Sequence, residues 1–193
     1  MVAVVGFALA VVAGLAVAKS FTLKVSNNVH VTNTPTKAVR VKAVDTHEAV
    51  AAGPSGFPVY TFQGETTHHL ICKKTSSQAT NCWAFWPPVT VNSAKGLSAQ
   101  KGIKGKLGAF RIHGLLQVTL GGRPLYYFAP DIMSKNKKQA QGDELKTFGS
   151  IWHIVAASGS VTHGTTSTSS GSTTTTSGTS TGTTTTCLYP PCD

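Results

Sequence analysis

Two segments of the sequence place aromatic residues and a carboxylate at the same spacing. Each has a Tyr, a Phe two positions later and an acidic residue three positions after that Phe. The members are Tyr60, Phe62 and Glu65, then Tyr126, Phe128 and Asp131. Aromatic side chains at alternate positions of a strand share one face, so we expect them to pack in a core. The alternative is an aromatic ligand platform that also includes Trp86 and Trp152.

The two acidic residues follow directly on these aromatic strands. A carboxylate at that position accepts backbone N–H bonds from the turn that leaves the strand, and we expect Glu65 and Asp131 to do so. The alternative is a carboxylate pair that holds a ligand or a cation.

A second group of residues has the donor types of a metal site. His68 and His69 stand shortly before Cys72, and soft metals bind to the nitrogen atoms of imidazoles and the sulfur atoms of thiolates. His113 and His153 could supply further imidazoles. Adjacent histidines on a strand point to opposite faces, which disfavours a shared ion. We therefore predict no cofactor and keep a metal at His68 and His69 as an alternative.

No sequence motif of a known catalytic centre is present. The chain lacks Gly-x-Ser-x-Gly, His-Glu-x-x-His and Cys-x-x-Cys, and its Gly- and Lys-rich stretch from 95 to 108 lacks the Gly-Lys-Ser/Thr end of a phosphate-binding loop. We predict that the protein is not an enzyme.

The cysteines are four in number, as expected of a disulfide framework in an exported chain. Three pairings are open, and the local one is favoured because it closes short loops. It would join Cys72 to Cys82 and Cys187 to Cys192.

Strand patterns dominate the folded part, which predicts an all-β domain. Period-2 alternation marks 21–25 and 39–43, with turn chemistry at Asn27-Asn28 between them. A hairpin is predicted on Gly121-Gly122, joining 116–120 to 123–128. Further predictions are a strand at 58–62, a proline-rich rim at 83–91, a mobile basic loop at 95–108, a loop at 132–147 and a closing strand at 151–155. The longest helix-like segment, 46–52, is too short to define the fold.

The two motif segments recur after about 66 residues, which predicts an internal repeat. We expect a compact barrel or sandwich built from two pseudo-symmetric repeats, one over about 39–92 and the other over about 108–157. This two-repeat β-domain would span 37–160. The N-terminal lead-in, 19–36, either belongs to the domain or precedes it as a mobile segment.

Both ends of the chain indicate export. Residues 2–18 are apolar and uncharged and end Ala16-Val17-Ala18, which predicts a signal peptide, 1–18, cleaved after Ala18. A retained membrane anchor is the alternative. From 165 to 186 every residue is Thr, Ser or Gly, so we expect 161–186 to be a disordered linker with sites for O-glycosylation. A cysteine-closed knob, 187–193, would follow it.

The chain resembles the bacterial "secreted repeat of unknown function" proteins, which include predicted lipoproteins with a Tyr-x-Phe/Trp/Tyr-x-x-Asp motif. The likeness covers roughly 39–157 and includes Trp86-Pro87-Pro88, Gln117-Val118-Thr119, the stretch Pro124 to Asp131 and the late Trp152. Glu65 and His113 stand where the family has Asp, and Lys19 stands where a lipoprotein would have its Cys. The resemblance implies export and the fold type, and it implies no established activity.

The charge balance suggests the kind of partner. Lys and Arg number 17 against 7 acidic residues, a net charge of +10. A basic exported protein is attracted to anionic polymers, so we expect an extracellular or cell-envelope protein that binds an anionic envelope polymer or a surface protein. We expect no nucleic acid, and a membrane only if 1–18 is retained. An extracytoplasmic metal-binding or redox-associated protein is the alternative.

Overall fold

The computed structural model describes residues 21–33 and 39–158, and within them the chain is mostly β. The strands are β1 (Lys24–Thr32), β2 (Asp45–Ala52), β3 (Tyr60–Phe62), β4 (Thr90–Val91), β5 (Leu107–Ile112), β6 (Leu115–Leu120), β7 (Arg123–Pro124), β8 (Gln139–Ala140), β9 (Lys146–Thr147) and β10 (Ser150–Ile154). Two short helices are α1 (Cys82–Phe85) and α2 (Ala129–Ser134). The strands form three sheets, ordered β2-β1-β8, β3-β10-β9 and β4-β6-β5. None of them closes into a barrel, so the barrel alternative was wrong.

Strand β1 is part of the folded domain rather than a lead-in to it. It lies in the middle of its sheet, antiparallel to β2 and parallel to β8. Its Val29 and Val31 are fully buried. The expected turn at Asn27-Asn28 is instead a β-bulge: the register shifts between Ser26 and Val29, and Asn28 has φ 53°. Asn tolerates this left-handed backbone better than most residues, so the strand continues beyond it.

The neighbouring segments also differ from their sequence patterns. The helix-like stretch 46–52 belongs to β2, whose last residues Ala49–Ala52 are buried between β1 and other chain segments. The alternating stretch 39–43 does not form a regular strand: Arg40 makes an isolated bridge to Leu145, and Val41 is 53% exposed. Burial on both faces, rather than alternation, therefore marks the strand here.

The predicted Gly121-Gly122 hairpin is confirmed. It joins β6 to β7, and both glycines have positive φ, 59° and 78°, as a two-residue hairpin turn requires. Beyond β7 the Leu125 N–H still donates to Val118 O of β6, and Tyr126 then forms an isolated antiparallel bridge with Tyr60 of β3.

The connections between strands carry more structure than expected. The stretch 83–91 begins in α1 and ends in β4. The predicted loop 132–147 contains the second half of α2 and all of β8 and β9. The closing strand is confirmed as β10. Among the described residues, no helix has the length and hydrophobicity needed to span a bilayer.

Two apolar clusters fill the domain. One is rich in aromatic residues and contains the side chains of both Tyr-x-Phe segments. The other is mainly aliphatic and includes Val118 and Leu125. The predicted Cys72–Cys82 disulfide is confirmed and lies at the edge of the aromatic cluster. The predicted signal peptide, the linker, the knob and its Cys187–Cys192 pair lie outside the described residues.

Candidate functional site

The residues of the two Tyr-x-Phe segments meet at the centre of the aromatic cluster. The backbones of Tyr60 and Tyr126 exchange two N–H···O bonds, of 2.8 and 3.0 Å, so the two segments run side by side. Every candidate of the motif has an exposed fraction of 0–1%. These residues are Tyr60, Phe62, Glu65, Trp86, Tyr126, Phe128, Asp131 and Trp152. Their aromatic rings are therefore core side chains and present no face to a dissolved ligand.

Four aromatic rings form a continuous stack in this core. Trp86 and Trp152 lie face to face with their centroids 3.8 Å apart. Phe62 stacks on the outer face of Trp152 at 4.2 Å, and Phe128 stacks on Trp86 at 4.3 Å. Each Tyr also meets one Trp edge-on: Tyr60 meets Trp86 at 5.4 Å and Tyr126 meets Trp152 at 5.3 Å. Both offset stacking and edge contacts are favourable aromatic geometries.

Asp131 connects this core to the surrounding backbone. The Tyr60 hydroxyl donates a 2.6 Å hydrogen bond to its Oδ2, and the Gln141 backbone N–H donates one of 2.9 Å to Oδ1. The Gly142 N–H in turn donates to the Tyr60 hydroxyl oxygen at 3.2 Å. A Cβ on Gly142 would lie 2.6 Å from the Trp86 ring, so this close approach needs glycine.

Glu65 holds the loop that leads to the disulfide. Its Oε1 accepts hydrogen bonds of 2.8 Å from the backbone N–H groups of Ile71 and Cys72. Both acidic residues of the motif thus accept backbone N–H bonds, as expected, although from residues six to ten positions further along rather than from the adjacent turn.

The second Tyr differs from the first in its polar contacts. The Tyr126 hydroxyl lies beside Glu65 and Gln117 but makes no hydrogen bond of good geometry to either side chain. Buried Glu65 Oε2 and Gln117 Oε1 likewise have no partner. The two motif segments therefore share their ring packing but not their hydrogen bonding.

Burial shifts the ionisation of these groups. It raises the pKa of Asp131 to about 6, against the opposing effect of its hydrogen bonds from Tyr60 and Gln141. Burial also raises the pKa of Glu65, opposed by the Cys72 and Ile71 N–H groups. The pKa values of Tyr60 and Tyr126 are raised first by burial and then by the charges of Asp131 and Glu65, respectively. Both tyrosines stay protonated at neutral pH.

The metal site at His68 and His69, kept as an alternative from the sequence, has little support in the structure. Both histidines are exposed in the turn from Thr66 to His69, and Cys72 is committed to the disulfide. Within 21–33 and 39–158, the group of three metal-type side chains close enough to share an ion lies elsewhere, at Asp143, Glu144 and His153.

Other side chains already contact that group. Lys42 Nζ lies 3.6 Å from Glu144 Oε1, and His153 Nδ1 lies 3.4 Å from the same oxygen. Asp143 Oδ1 accepts a hydrogen bond from the Ile154 N–H. Of the three residues in this group, only His153 was named from the sequence as a possible metal ligand. Asp143 and Glu144 come near His153 only when strands β9 and β10 pair, which the sequence pattern does not show.

The surface, unlike the core, is strongly basic. Among the described Lys and Arg residues, Lys42 is the one whose side-chain nitrogen lies within 4 Å of a carboxylate oxygen. Glu65 and Asp131 are buried, which leaves Asp45 and Glu48 as the acidic side chains of the described surface outside the Asp143–Glu144 pair. The exposed lysines of the 95–106 loop are Lys95, Lys101, Lys104 and Lys106.

The basic loop, predicted to be mobile, is bonded to the rest of the domain at several points. Ala99 bridges Leu23, and the Gln100 side chain accepts a 2.9 Å hydrogen bond from the Val25 N–H. Further along, Gly102 O accepts from the Ser158 N–H at 2.8 Å. The loop thus presents its lysines from a fixed backbone.

Comparison of the chain with protein-family models, curated proteins and solved structures finds no match. The function is therefore argued from the residues and their geometry.

Proposed function

We propose that this chain is an exported, non-enzymatic domain that binds an anionic polymer of the cell envelope through its basic surface. The observation that carries the proposal is the segregation of charge. Lysines of the described surface are exposed and almost all lack a carboxylate partner, whereas two of the acidic residues are buried in the core. Such a surface produces an unneutralised positive potential that attracts polyanions.

The basic loop supplies the principal contact. Because its backbone is bonded to β1 and to the end of the domain, little backbone conformational entropy is lost when its lysines bind. The main chain of Lys106 also bonds to Gly121, two residues before exposed Arg123. The positive surface therefore continues from the loop onto the β6–β7 turn.

The burial of the motif residues supports a binding protein rather than an enzyme, because these residues lie in the core. Acids and tyrosines with shifted pKa values are candidates for catalysis where they line a cleft. Here they lie in a packed core, with exposed fractions of 0–1%. Their role in this proposal is to hold the domain together.

Export and the two-repeat organisation are parts of the same proposal. A disulfide in a small domain is typical of an oxidising compartment, which supports export. The matching contacts of Tyr60 with Trp86 and of Tyr126 with Trp152 support two related β-units. The anionic polymer is favoured over a surface protein because the charges, rather than an apolar patch, distinguish this surface.

The proposal is tested with two variants that remove the same charge at different places. Lys101→Gln/Lys104→Gln alters the basic loop, and Lys73→Gln/Lys74→Gln alters the exposed disulfide loop. We expect the first pair to weaken binding to long-chain polyphosphate about three- to tenfold, since exposed charge contacts contribute up to about 1 kcal/mol each. The second pair weakens it less. Equal losses for both pairs would show attraction to net charge alone, without a defined contact on the loop.

A further inference from the structure

An open groove of about 520 Å³ lies on the domain, and its lining includes no residue of the basic loop. Its lining combines apolar side chains with two cations and contains no acidic residue. The lining residues are Val39, Arg40, Val41, Lys146, Thr147, Phe148, Gly149 and Ile151. Its volume falls within the range of small-molecule sites in proteins, about 300–1,000 Å³.

The walls of the groove are held by backbone contacts. On one side the Val41 N–H donates a 2.8 Å hydrogen bond to Glu144 O, and Arg40 bridges Leu145. On the other side β9 and β10 pair in register, Lys146 opposite Ile151 and Thr147 opposite Ser150. Both walls thus belong to the folded domain, so the groove does not depend on a rearrangement.

The turn between β9 and β10 holds an aromatic residue in an unfavourable conformation. Phe148 has φ 53°, a left-handed backbone that bulky residues rarely adopt, whereas Gly149 beside it has φ 92°. The Phe148 ring packs against the Phe85 ring, with their centroids 6.1 Å apart, and this contact holds Phe148 at the groove. Strain of this kind is found at binding sites more often than elsewhere, and an Asn or Gly would form the turn without it.

The exposed apolar surface of the groove is also unusual. Val41 is 53% exposed, the largest exposed fraction of a Val, Leu or Ile in the described chain. It lines the groove together with the two cationic side chains and Phe148. An apolar floor next to Arg40 and Lys146 matches a molecule with a hydrocarbon chain and a negative head.

We propose that this groove binds a single-chain lipid with an anionic headgroup, its chain against Val41, Phe148 and Ile151 and its head at Arg40 and Lys146. The site goes beyond the proposed polymer binding and uses different residues. Charge complementarity selects this occupant over a neutral amphiphile, because both charged side chains of the lining are cations and no carboxylate opposes the head.

The test measures binding of dodecanoate to the full chain by titration calorimetry, below the critical micelle concentration. Saturable binding is expected, with decanoate weaker by roughly two- to fourfold for each methylene removed, since a buried CH₂ contributes at most about 0.8 kcal/mol. Dodecyl maltoside, which has the same chain and a neutral head, is expected to bind more weakly. Arg40→Gln/Lys146→Gln is expected to weaken dodecanoate roughly three- to tenfold and to remove the preference for the anionic head.

The apolar half of the site is tested separately. Val41→Asp places a charge on the exposed floor, and we expect at least a tenfold loss of dodecanoate affinity. The control is Leu115→Asp, which alters another exposed apolar residue, 42% exposed and on the β5–β6 turn, and leaves binding unchanged. Because Val41 and Leu115 are both exposed, neither variant depends on repacking of the core.

Several outcomes would overturn the proposal. They are no saturable binding of dodecanoate, equal binding of dodecyl maltoside, or equal effects of Val41→Asp and Leu115→Asp. Self-association of the chain that Val41→Asp abolishes would assign the groove to a second copy instead. Lys101→Gln/Lys104→Gln is expected to bind dodecanoate like the wild type, so failure of the polymer proposal and failure of this one are distinguishable.

Discussion

At the scale of single residues, the two tyrosines of the aromatic core have the same packing and different hydrogen bonds. The Tyr60 hydroxyl donates to Asp131 and accepts from the Gly142 N–H. The Tyr126 hydroxyl is buried with no partner of good geometry. A hydrogen bond to a charged group stabilises a fold by about 1.5–3 kcal/mol, whereas an unpartnered buried hydroxyl costs free energy. The two residues therefore allow a matched comparison in one core.

We predict that Tyr60→Phe lowers the free energy of unfolding by about 1.5–3 kcal/mol, because it leaves Asp131 and the Gly142 N–H without their shared partner. The Tyr126 hydroxyl makes no hydrogen bond of good geometry, so Tyr126→Phe is expected to change the free energy of unfolding by less than about 0.5 kcal/mol or to increase it. Urea denaturation of both variants is the measurement. A loss for Tyr126→Phe as large as that for Tyr60→Phe would contradict the difference in bonding.

Asp131 makes the stability of the domain depend on pH. Burial raises its pKa to about 6 from an ordinary value of 3.8, so the folded state binds this proton more tightly than the unfolded chain. The contribution of Asp131 to the free energy of unfolding is fully present below about pH 4 and falls as pH rises to about 6. Glu65 and Asp143, whose pKa values burial also raises, act in the same direction.

We predict that Asp131→Asn, which cannot ionise, has a smaller fall in stability between pH 4 and pH 6 than the wild type. The measurement is the free energy of unfolding at several pH values, taken as the difference between variant and wild type, so that changes common to both proteins cancel. An identical slope in both proteins would show that Asp131 does not carry this pH dependence.

The sequence pattern predicted that the motif acids accept backbone hydrogen bonds, but it did not predict which residues donate them. A carboxylate just after a strand indicates backbone capping wherever the fold places it, and Glu65 and Asp131 both accept backbone N–H bonds. No sequence feature predicts the close contact between Gly142 and the Trp86 ring, since this contact depends on how distant segments pack. His68 and His69 had the right donors for a metal, but neighbouring His residues on an exposed turn do not converge.

At the scale of elements, the disulfide joins the loop after β3 to the start of α1. Cys72 and Cys82 are each 1% exposed, although most residues between them are exposed. Glu65 bonds the N–H of Cys72, and the Trp83 side chain donates to Cys72 O at 3.3 Å. The disulfide therefore fastens a polar loop to the edge of the aromatic core.

We predict that Cys72→Ala/Cys82→Ala lowers the free energy of unfolding by about 2–4 kcal/mol, because the unfolded chain is no longer restricted by a cross-link over a short loop. Ser76→Ala, in the exposed part of the same loop, is the control and should differ little from the wild type. Urea denaturation measures both. Unfolding of the cysteine variant at the wild-type urea concentration would contradict a stabilising role for the disulfide.

Elements with a local signal were predictable, and elements defined by their neighbours were not. Gly121-Gly122 specifies a hairpin by its own backbone preferences, so the turn and β6 were placed correctly, whereas β7 ends at Pro124 rather than at 128. The Asn27-Asn28 pair is equally suited to a turn and to a bulge. A bulge forms because β1 pairs with β2 both before and after these two residues. Segment 46–52 forms a strand because β1 supplies its hydrogen bonds, which no local pattern in 46–52 reveals.

At the scale of the whole molecule, charge is separated between core and surface. The net charge is +10, and among the described residues Lys42 alone of the Lys and Arg side chains pairs with a carboxylate. The sequence predicted the excess of positive charge but not its arrangement, because the burial of Glu65 and Asp131 removes acids that would otherwise offset it. The central claim, binding of an anionic polymer, depends on this arrangement.

The most direct measurement of that claim is the salt dependence of binding to immobilised long-chain polyphosphate, with neutral dextran as the control matrix. The account predicts retention of the full chain at low salt, no retention on dextran, and at least a tenfold loss of affinity between about 0.05 and 0.5 M NaCl, because salt screens exposed charges. Absence of retention at low salt, or retention that salt does not change, would contradict it.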